Sequence, residues 1–430
     1  MNLMFAIIFL VLGILGISIC IRNTGVFFNF GTIFCLLWTI TGVLSNSRIY
    51  GFYVPSGLVN ICMVIGIIIV GLGYAIKPIC EKVDADSVLN METTIKSRAL
   101  FWSNILAFIF MIPFFKGSLA IIMSRGFAYL RAVNFSDMTV TGRSTIINLI
   151  LQDICFPLFF VTMILSLIQL FTHKRGAVKL FLMSIANIFV YEIINGARNG
   201  FIIIIVILLF TFFKVMYPLI KDGIHISKRV KRIVIIAIIV MAFVVVYITR
   251  DRSLGGKSLL ETFYYYYFAG PAYLSELLKN LDEYKLNNDF FVGTGTFGFV
   301  YNIIVTVLSF VGIRIFNSGH VLNSVLSNQY FNVSSSAKIN AMATMYFPFL
   351  MDYGYFGIVL GPLMLVIASR YITQKAIHKN NIRWYSISIF WMFVIYRTIF
   401  KWELIAMSSF FILFFIFLFT TKAAGTTDSD

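Results

Sequence analysis

Charged side chains are scarce in this sequence. They make up 12% of its 430 residues, whereas 60% are hydrophobic and the mean hydropathy is +0.91. A soluble domain carries about 25% charged and about 45–50% apolar residues. The composition therefore excludes a water-soluble architecture and favours helices that cross a membrane.

Acidic residues are the scarcer of the two signs of charge. There are 18 Asp and Glu residues against 34 Lys and Arg, for a formal net charge of +16. In a soluble protein such an excess would point to nucleic acid, but in a membrane protein it marks cytoplasmic loops that face anionic lipid headgroups. It also fits an anionic substrate. We expect membrane lipids, and not nucleic acid, to be partners of this chain.

Residues and motifs that carry metal or nucleotide chemistry are also few. The five cysteines show no CxxC spacing and the four histidines are scattered, so neither a disulfide framework nor a metal site is indicated. The sequence contains no Walker loop, protein-kinase motif set or GxSxG element. It also contains no internal repeat, which leaves an inverted-repeat transporter without support.

Long apolar runs are what the sequence has instead. A membrane-spanning helix needs roughly 20 mostly apolar residues, and a helix satisfies its backbone hydrogen bonds internally. We predict an all-α, polytopic membrane bundle of about 11 (10–12) helices, with spans near 2–20, 26–44, 56–76, 99–115, 149–171, 180–196, 200–220, 233–249, 346–368, 385–400 and 404–421. The first run lacks the basic start and the cleavage pattern of a signal peptide, so we expect it to be a span.

Basic loops predict the orientation of these spans. The segment Lys221–Arg232 is the most basic connection and is expected in the cytoplasm. The chain is then divided into an N-terminal bundle of about eight helices (1–249), one large external region (250–345), C-terminal spans (346–421) and a disordered tail (422–430). To keep the basic loop Arg370–Arg383 inside, we interpret 299–316 as a re-entrant or interfacial helix; the alternative is a twelfth span.

Three arginines on the predicted outer side are the candidate substrate-binding residues. Arg198 lies between two apolar runs, and Arg250 and Arg252 follow another. A charge so close to membrane depth is costly and therefore tends to be paired or functional, and a guanidinium group matches phosphate oxygens. We predict that the three bind one pyrophosphate near the outer headgroups. The alternative is that they snorkel or pair internally with Glu192 or Asp251.

Aromatic and polar residues occupy the external region. The run Tyr264–Phe268, with Tyr265 and Tyr266 as candidate binding residues, could contact the CH faces of sugars; the alternative is an aromatic belt at headgroup level. His320 is the only histidine on the predicted outer side and is a candidate base, although a lone histidine is more often structural. Asp352 begins a late apolar run and is a candidate for orienting a substrate hydroxyl or pairing with an arginine.

Three local segments carry a resemblance to a known family. NGARNG (195–200) resembles the G-x-R turn that precedes a new span in that family, and YYYYFAGPAYLSELL (264–278) is similar to the Tyr-Phe-x-Gly segment that opens its large external loop. NAMATMYFPFLMDYGYFG (340–357) resembles the stretch entering a late span, roughly T-x-x-x-P followed by D-x-G-x-x-G. With these segments and its hydropathy profile, the chain resembles the bacterial oligosaccharide repeat-unit polymerases, the O-antigen (Wzy-type) polymerases.

The resemblance implies a glycosyltransferase of the bacterial inner membrane. Such an enzyme polymerises undecaprenyl-diphosphate-linked oligosaccharide repeat units into O-antigen or capsular polysaccharide at the periplasmic face, and it releases undecaprenyl diphosphate. The resemblance also implies no metal or nucleotide cofactor, and a separate chain-length regulator protein as partner. The acceptor hydroxyl needs a base, for which Glu261 joins His320 and Asp352 as a candidate. An O-antigen ligase and a flippase or transporter of lipid-linked oligosaccharide are the alternatives.

Overall fold

The computed structural model is built almost entirely of α-helices. It describes residues 2–76, 78–82, 85–89, 91, 93–136, 142–172, 174, 176–224, 227–251, 257–281, 293–313, 315, 322, 325–326, 330–335, 337–340 and 342–422. The helices of these residues are α1 Asn2–Thr24, α2 Phe30–Ser45, α3 Gly57–Ala75, α4 Ala85–Leu89, α5 Ser97–Ser136, α6 Thr145–Ile150, α7 Phe156–Phe171, α8 Ala177–Asn195, α9 Asn199–Thr211, α10 Tyr217–Lys221, α11 Lys228–Asp251, α12 Leu259–Phe268, α13 Gly270–Leu278, α14 Gly298–Phe310, α15 Tyr346–Tyr353, α16 Gly357–Lys379, α17 Ile382–Arg397 and α18 Ser408–Phe419. Two antiparallel ladders accompany them, formed by β1 Thr93–Ile95 with β4 Thr420–Lys422 and by β2 Phe331–Ser334 with β3 Ala337–Ile339.

Eight helices of the described residues are long and apolar enough to cross a membrane. They are Leu3–Thr24, Gly57–Ala75, Ser97–Asn134, Thr145–Phe171, Ala177–Asn195, Asn199–Lys221, Val230–Arg250 and Tyr346–Lys379. The predicted polytopic, all-α membrane architecture is thereby confirmed. The predicted spans near 26–44, 385–400 and 404–421 correspond to helices of only 16, 16 and 12 residues. Helix length therefore establishes fewer crossings than the eleven predicted runs.

The outward faces of several long helices are apolar. On α1, Leu10 and Ile14 are 51% and 56% exposed, and on α11, Ile239 and Phe243 are 62% and 70% exposed. Large apolar faces of this kind are rare on soluble proteins and suit contact with lipid. The span Thr145–Phe171 differs, because most of it is buried by neighbouring helices.

The chain divides into two compact units, each assembled from separate stretches of sequence. The first unit comprises Met1–Lys82, Leu260–Gln374 and Trp391–Phe410. The second unit comprises Val83–Leu259, Lys375–Phe390 and Phe411–Asp430. Residues far apart in the sequence are thus packed together within each unit.

In the first unit, the connection between α2 and α3 is held by the segment that contains α12 and α13. The Tyr265 hydroxyl donates to the carbonyl oxygen of Tyr50 (2.8 Å). The backbone amide of Ser56 donates to the hydroxyl of Ser275 (2.9 Å). These bonds satisfy backbone groups that have no partner within a helix, and they bind the region before α14 to the α2–α3 connection.

The same α2–α3 connection also receives the β2–β3 hairpin, which follows α14 in the sequence. The amide of Tyr53 donates to the carbonyl oxygen of Val333 (2.8 Å), and Phe52 forms an antiparallel bridge with Ser334. Segments before and after α14 therefore meet on one short connection.

Three polar side chains meet inside the second unit. Asn104 on α5 donates to the hydroxyl of Thr162 on α7 (2.7 Å), and Asn187 on α8 donates to Oδ1 of Asn104 (3.0 Å). All three are fully or almost fully buried. Since an amide in apolar surroundings needs a partner, the triad fixes the register of three helices.

Replacing Asn104 with leucine should lower the stability of the folded protein, because both interhelical hydrogen bonds are lost. Bonds of this kind contribute about 0.6 kcal/mol on average and up to about 1.7 kcal/mol in membrane proteins. Thermal unfolding of the purified protein in detergent measures the effect. The matched control is Ser124→Ala, an exposed serine of α5 that bonds only to its own preceding turn. Equal melting temperatures for Asn104→Leu and the wild type would show that the contacts of Asn104 with Thr162 and Asn187 do not stabilise the fold.

Candidate functional site

The end of α8 is the centre of a group of arginines in the second unit. Gly196 follows the helix with a φ of +55°, a left-handed conformation that glycine adopts without steric strain. The amide of Ala197 donates to the carbonyl oxygen of Glu192 (3.0 Å) and closes the helix. A Cβ atom on Gly196 would stand only 3.2 Å from the backbone nitrogen of Arg131. Glycine thus lets the turn after α8 lie directly against α5.

Two arginines bind this turn. Arg143 is 2% exposed, and its guanidinium group donates to Oδ1 of Asn195 (2.9 Å) and to Oδ1 of Asn134. Nη1 of Arg131 lies 3.5 Å from the carbonyl oxygen of Asn195. The last carbonyl groups of a helix carry partial negative charge, which cations stabilise. Arg131 and Arg143 therefore hold the end of α8 in place.

Arg198 connects the same turn to α11. It is 7% exposed, and its Nη1 donates to the hydroxyl of Thr249 (2.7 Å). Arg250 follows Thr249 in the last turn of α11 and is exposed. This bond joins Arg198 to the last turn of α11, which also carries Arg250, whereas Arg252 lies outside the described residues. We call the following group the basic corner: Arg131, Arg143, Arg198 and Arg250.

The basic corner is suited to an anion. The guanidinium groups of Arg131 and Arg143 adjoin the end of α8, where Glu192 contributes a buried carboxylate, and that of Arg198 binds Thr249. Guanidinium groups match the geometry of phosphate oxygens, and Arg250 is accessible to a ligand from outside the protein. Sequence reasoning missed Arg143 because its contact with Asn195 spans 52 residues of chain.

Asp352 lies in the first unit and is 7% exposed. Its two carboxylate oxygens accept hydrogen bonds from the backbone amides of Gly295 (3.1 Å) and Thr296 (2.6 Å). These two hydrogen bonds offset the cost of burying the carboxylate, so no bound substrate is needed to explain its burial. Asp352 therefore anchors the turn that leads into α14, a structural role that its position at the start of an apolar run did not indicate.

Two glycines in the sequence GTGTFG (293–298) are explained by this packing. A Cβ atom on Gly295 would stand 3.1 Å from Oδ1 of Asp352, and one on Gly298 would stand 2.7 Å from the carbonyl oxygen of Ile405. The second distance is shorter than any real contact of a Cβ atom with an oxygen. The turn is thus packed against Asp352 and against the connection between α17 and α18.

The other predicted site residues of the first unit differ in how deeply they are buried. Tyr265 is 1% exposed, so its ring packs inside the unit while its hydroxyl holds the α2–α3 connection. Tyr266 is half-buried, as is Glu261 in the first turn of α12. His320 lies outside the described residues.

A second group of charges lies between α17 and α18. Oε2 of Glu403 is 3.1 Å from Nε of Arg397 and 3.4 Å from Nζ of Lys401. Burial raises the pKa of Glu403, but the two neighbouring cations outweigh burial and hold the pKa below its usual value. The carboxylate is therefore ionised at neutral pH. We call Arg397, Lys401 and Glu403 the charge triad; its formal charges sum to +1.

Asp352→Ala should destabilise the protein, because two backbone amides lose their buried acceptor. A lost acceptor of this kind costs about 1–3 kcal/mol. Asp352→Asn keeps one acceptor oxygen and should cost less, which thermal unfolding in detergent can measure. If Asp352→Ala unfolds at the wild-type temperature, Asp352 is not the anchor of the turn.

In the part of the chain that the structure describes, no group of three His, Cys, Asp or Glu side chains comes together in a way that could hold a metal ion. No protein-family model, no curated protein and no solved structure matches the chain. Its function must therefore be inferred from the residues that each unit brings together.

Proposed function

We propose that this chain is a glycosyltransferase of the bacterial inner membrane that polymerises undecaprenyl-diphosphate-linked oligosaccharide repeat units into O-antigen or capsular polysaccharide. The observation that supports this most directly is the basic corner: Arg131 and Arg143 bind the end of α8, and Arg198 binds Thr249, the residue before Arg250 in α11. A basic group at the end of membrane-spanning helices can meet the diphosphate of a lipid-linked substrate at headgroup level. The resemblance of NGARNG (195–200) to the G-x-R turn of the polymerases agrees with this role.

The proposed reaction makes a specific demand on the basic corner. An acceptor hydroxyl attacks the anomeric carbon of the donor sugar, and the bond between that carbon and the diphosphate oxygen breaks. The leaving undecaprenyl diphosphate takes the bonding electrons, so negative charge develops on it. Guanidinium groups that are already fixed in place stabilise that charge most effectively, and the bonds of Arg198 and Arg143 to their neighbours provide the fixing. The proton of the acceptor hydroxyl passes to a general base.

The proposal includes the eleven crossings predicted from the sequence. Contacts within each unit join connections that this topology assigns to one side of the membrane. On the outer side, Arg143 meets Asn195 and Arg198 meets Thr249. On the inner side, the amide of Ala85 meets the carboxylate of Asp222, β1 pairs with β4, and Arg383 donates to Thr420.

The large region 250–345 is proposed to stay on the outer side throughout. Its segments before and after α14 both contact the α2–α3 connection, so they adjoin the same surface. The 13 residues of α14 rise only about 20 Å at 1.5 Å each, which is less than the hydrocarbon thickness of about 30 Å. Both observations support a re-entrant or interfacial α14 over a twelfth span.

Arg198→Ala should abolish polymer formation. Loss of one donor to a developing oxyanion lowers a rate by about 10²–10³-fold, and Arg198→Lys should restore little because an ammonium group lacks the guanidinium fork. The measurement is the polysaccharide ladder on a gel after complementation of a deletion strain, with an immunoblot of the membrane fraction. The matched control is Arg125→Ala, an exposed arginine of α5 that lies over the ring of Tyr129, and a full ladder is expected from it.

A full ladder from both Arg198 variants would contradict diphosphate binding at the basic corner. The deletion strain itself separates the proposed polymerase from its alternatives. A single repeat unit attached to the core indicates a polymerase. Unattached long polymer indicates a ligase, and accumulation of inward-facing lipid-linked units indicates a flippase.

Cysteine labelling tests the topology of α14. Leu260 precedes α14 and Tyr330 follows it, and they are 72% and 60% exposed. We expect Leu260→Cys and Tyr330→Cys both to react with a membrane-impermeant thiol reagent on intact spheroplasts. Cys80, an exposed cysteine on the proposed inner side, should react only after permeabilisation. Reaction of one introduced cysteine without the other would mean that the chain crosses the membrane between them.

A further inference from the structure

The charge triad offers a free guanidinium edge to a ligand. Arg397 engages Glu403 through Nε, and its Nη1 and Nη2 groups donate to no acceptor among the residues that the structure describes. The side chains of Arg397 and Lys401 are 16% and 33% exposed, so both side chains reach the surface of the protein. Two parallel N–H donors on one guanidinium edge are the arrangement that binds a carboxylate or phosphate in a bidentate manner.

Aromatic rings border this edge. The guanidinium carbon of Arg397 lies 5.6 Å from the ring centre of Phe400. The ring of Phe400 in turn lies 5.4 Å from that of Tyr267, and the hydroxyl of Tyr267 is 3.4 Å from that of Tyr396. Tyr267 and Tyr396 are half-buried, so the wall they form is partly open. Rings of this kind pack against apolar CH surface while their hydroxyls form hydrogen bonds.

The backbone that carries the charge triad is held firmly. The amide of Thr344 donates to the carbonyl oxygen of Phe400 (3.0 Å), and the amide of Met345 donates to that of Thr398 (2.8 Å). These bonds fix the backbone of the connection between α17 and α18, and the bond to Glu403 holds the side chain of Arg397 without a ligand. A preorganised site binds without the cost of ordering its side chains.

The charge balance narrows the class of ligand. The charge triad has one formal positive charge in excess, which matches a monoanion better than a diphosphate. The aromatic wall adds a surface for a pyranose ring. A sugar that bears one carboxylate satisfies both conditions, whereas an inorganic anion uses only the first.

We propose that the charge triad and the ring of Tyr267 form a subsite for a hexuronic acid residue of the glycan. Arg397 and Lys401 bind the carboxylate, Glu403 orients both cations, and Tyr267 packs against the sugar ring. This subsite rests on the proposed function for its biological meaning, because it assigns an acidic sugar to the repeat unit.

The test uses the full-length protein in detergent and measures binding of glucuronan trisaccharide and of cellotriose, which has the same linkage and no carboxylate. The wild type should bind the acidic trisaccharide at least about tenfold more tightly, as expected for a charge-assisted hydrogen-bonded pair. Arg397→Gln should remove this preference, and Lys401→Gln should reduce it. Lys279→Gln breaks another lysine–glutamate pair of the first unit, with Glu276, and should leave the preference unchanged.

Tyr267→Leu provides a second measurement that leaves the charge triad intact. Loss of the ring should weaken binding of both trisaccharides by a similar factor, with the preference for the acidic one retained. This result guards the test against a failure of Arg397→Gln to fold. Equal affinity of the wild type for the two sugars would overturn the proposal, as would an unchanged preference in Lys401→Gln. Pyrophosphate is then added to the wild type with the acidic trisaccharide bound. If pyrophosphate displaces it at a concentration lower than the trisaccharide itself needs for binding, the charge triad is a phosphate site instead.

The outcome is separable from that of the proposed function. Arg198→Gln lies in the basic corner of the second unit and should leave the preference for glucuronan trisaccharide intact while it abolishes the polysaccharide ladder. Retained binding at the charge triad with a full ladder from Arg198→Gln would refute diphosphate binding at the basic corner alone. If the wild type shows no preference for the acidic trisaccharide while the ladder is still lost in Arg198→Gln, the hexuronic acid subsite alone is refuted.

Discussion

The cost of leaving a polar group without a partner in apolar surroundings governs this structure. It amounts to several kcal/mol in a hydrocarbon environment, and each buried polar feature can be understood as a response to it. Asn104 meets Thr162 and Asn187 between helices, and Arg143 meets two asparagine side chains at a helix end. Asp352 accepts two backbone amides. Because every such partner is in a different helix or turn, satisfying the polar groups also determines which elements lie together.

The same cost concentrates charged side chains at helix ends, where they can bind anionic ligands. In the second unit, the basic corner places Arg131 and Arg143 on the end of α8 and joins Arg198 to α11, whereas the charge triad places two cations on one carboxylate in the first unit. The two groups differ in balance and in surroundings. Several guanidinium groups suit a highly charged diphosphate, while a single excess charge beside aromatic rings suits a monoanionic sugar. Under the two proposals, the basic corner binds the diphosphate of the lipid-linked substrate and the charge triad binds an acidic sugar of the glycan.

Apolar runs were enough to predict the helices, because a span must be long and apolar whatever it packs against. They also placed Arg198 and Arg250 at the ends of neighbouring spans, and the bond of Arg198 to Thr249 joins those two ends. What the sequence could not reveal depends on contacts between distant segments. Arg143 reaches the end of α8 from 52 residues away, and Tyr265 proves to be a buried anchor because a carbonyl oxygen of the α2–α3 connection needs its hydroxyl. The role of Asp352 similarly required the position of Gly295, which lies 57 residues earlier.

The α2–α3 connection has a consequence for the evolution of the chain. A short surface loop normally tolerates insertions and exchanges, but this one supplies backbone partners to α12, to Ser275 and to the β2–β3 hairpin. A change in its length would shift several hydrogen bonds at once. In homologues, its length should therefore vary far less than its exposure suggests, and its substitutions should be correlated with those in segments more than 200 residues downstream.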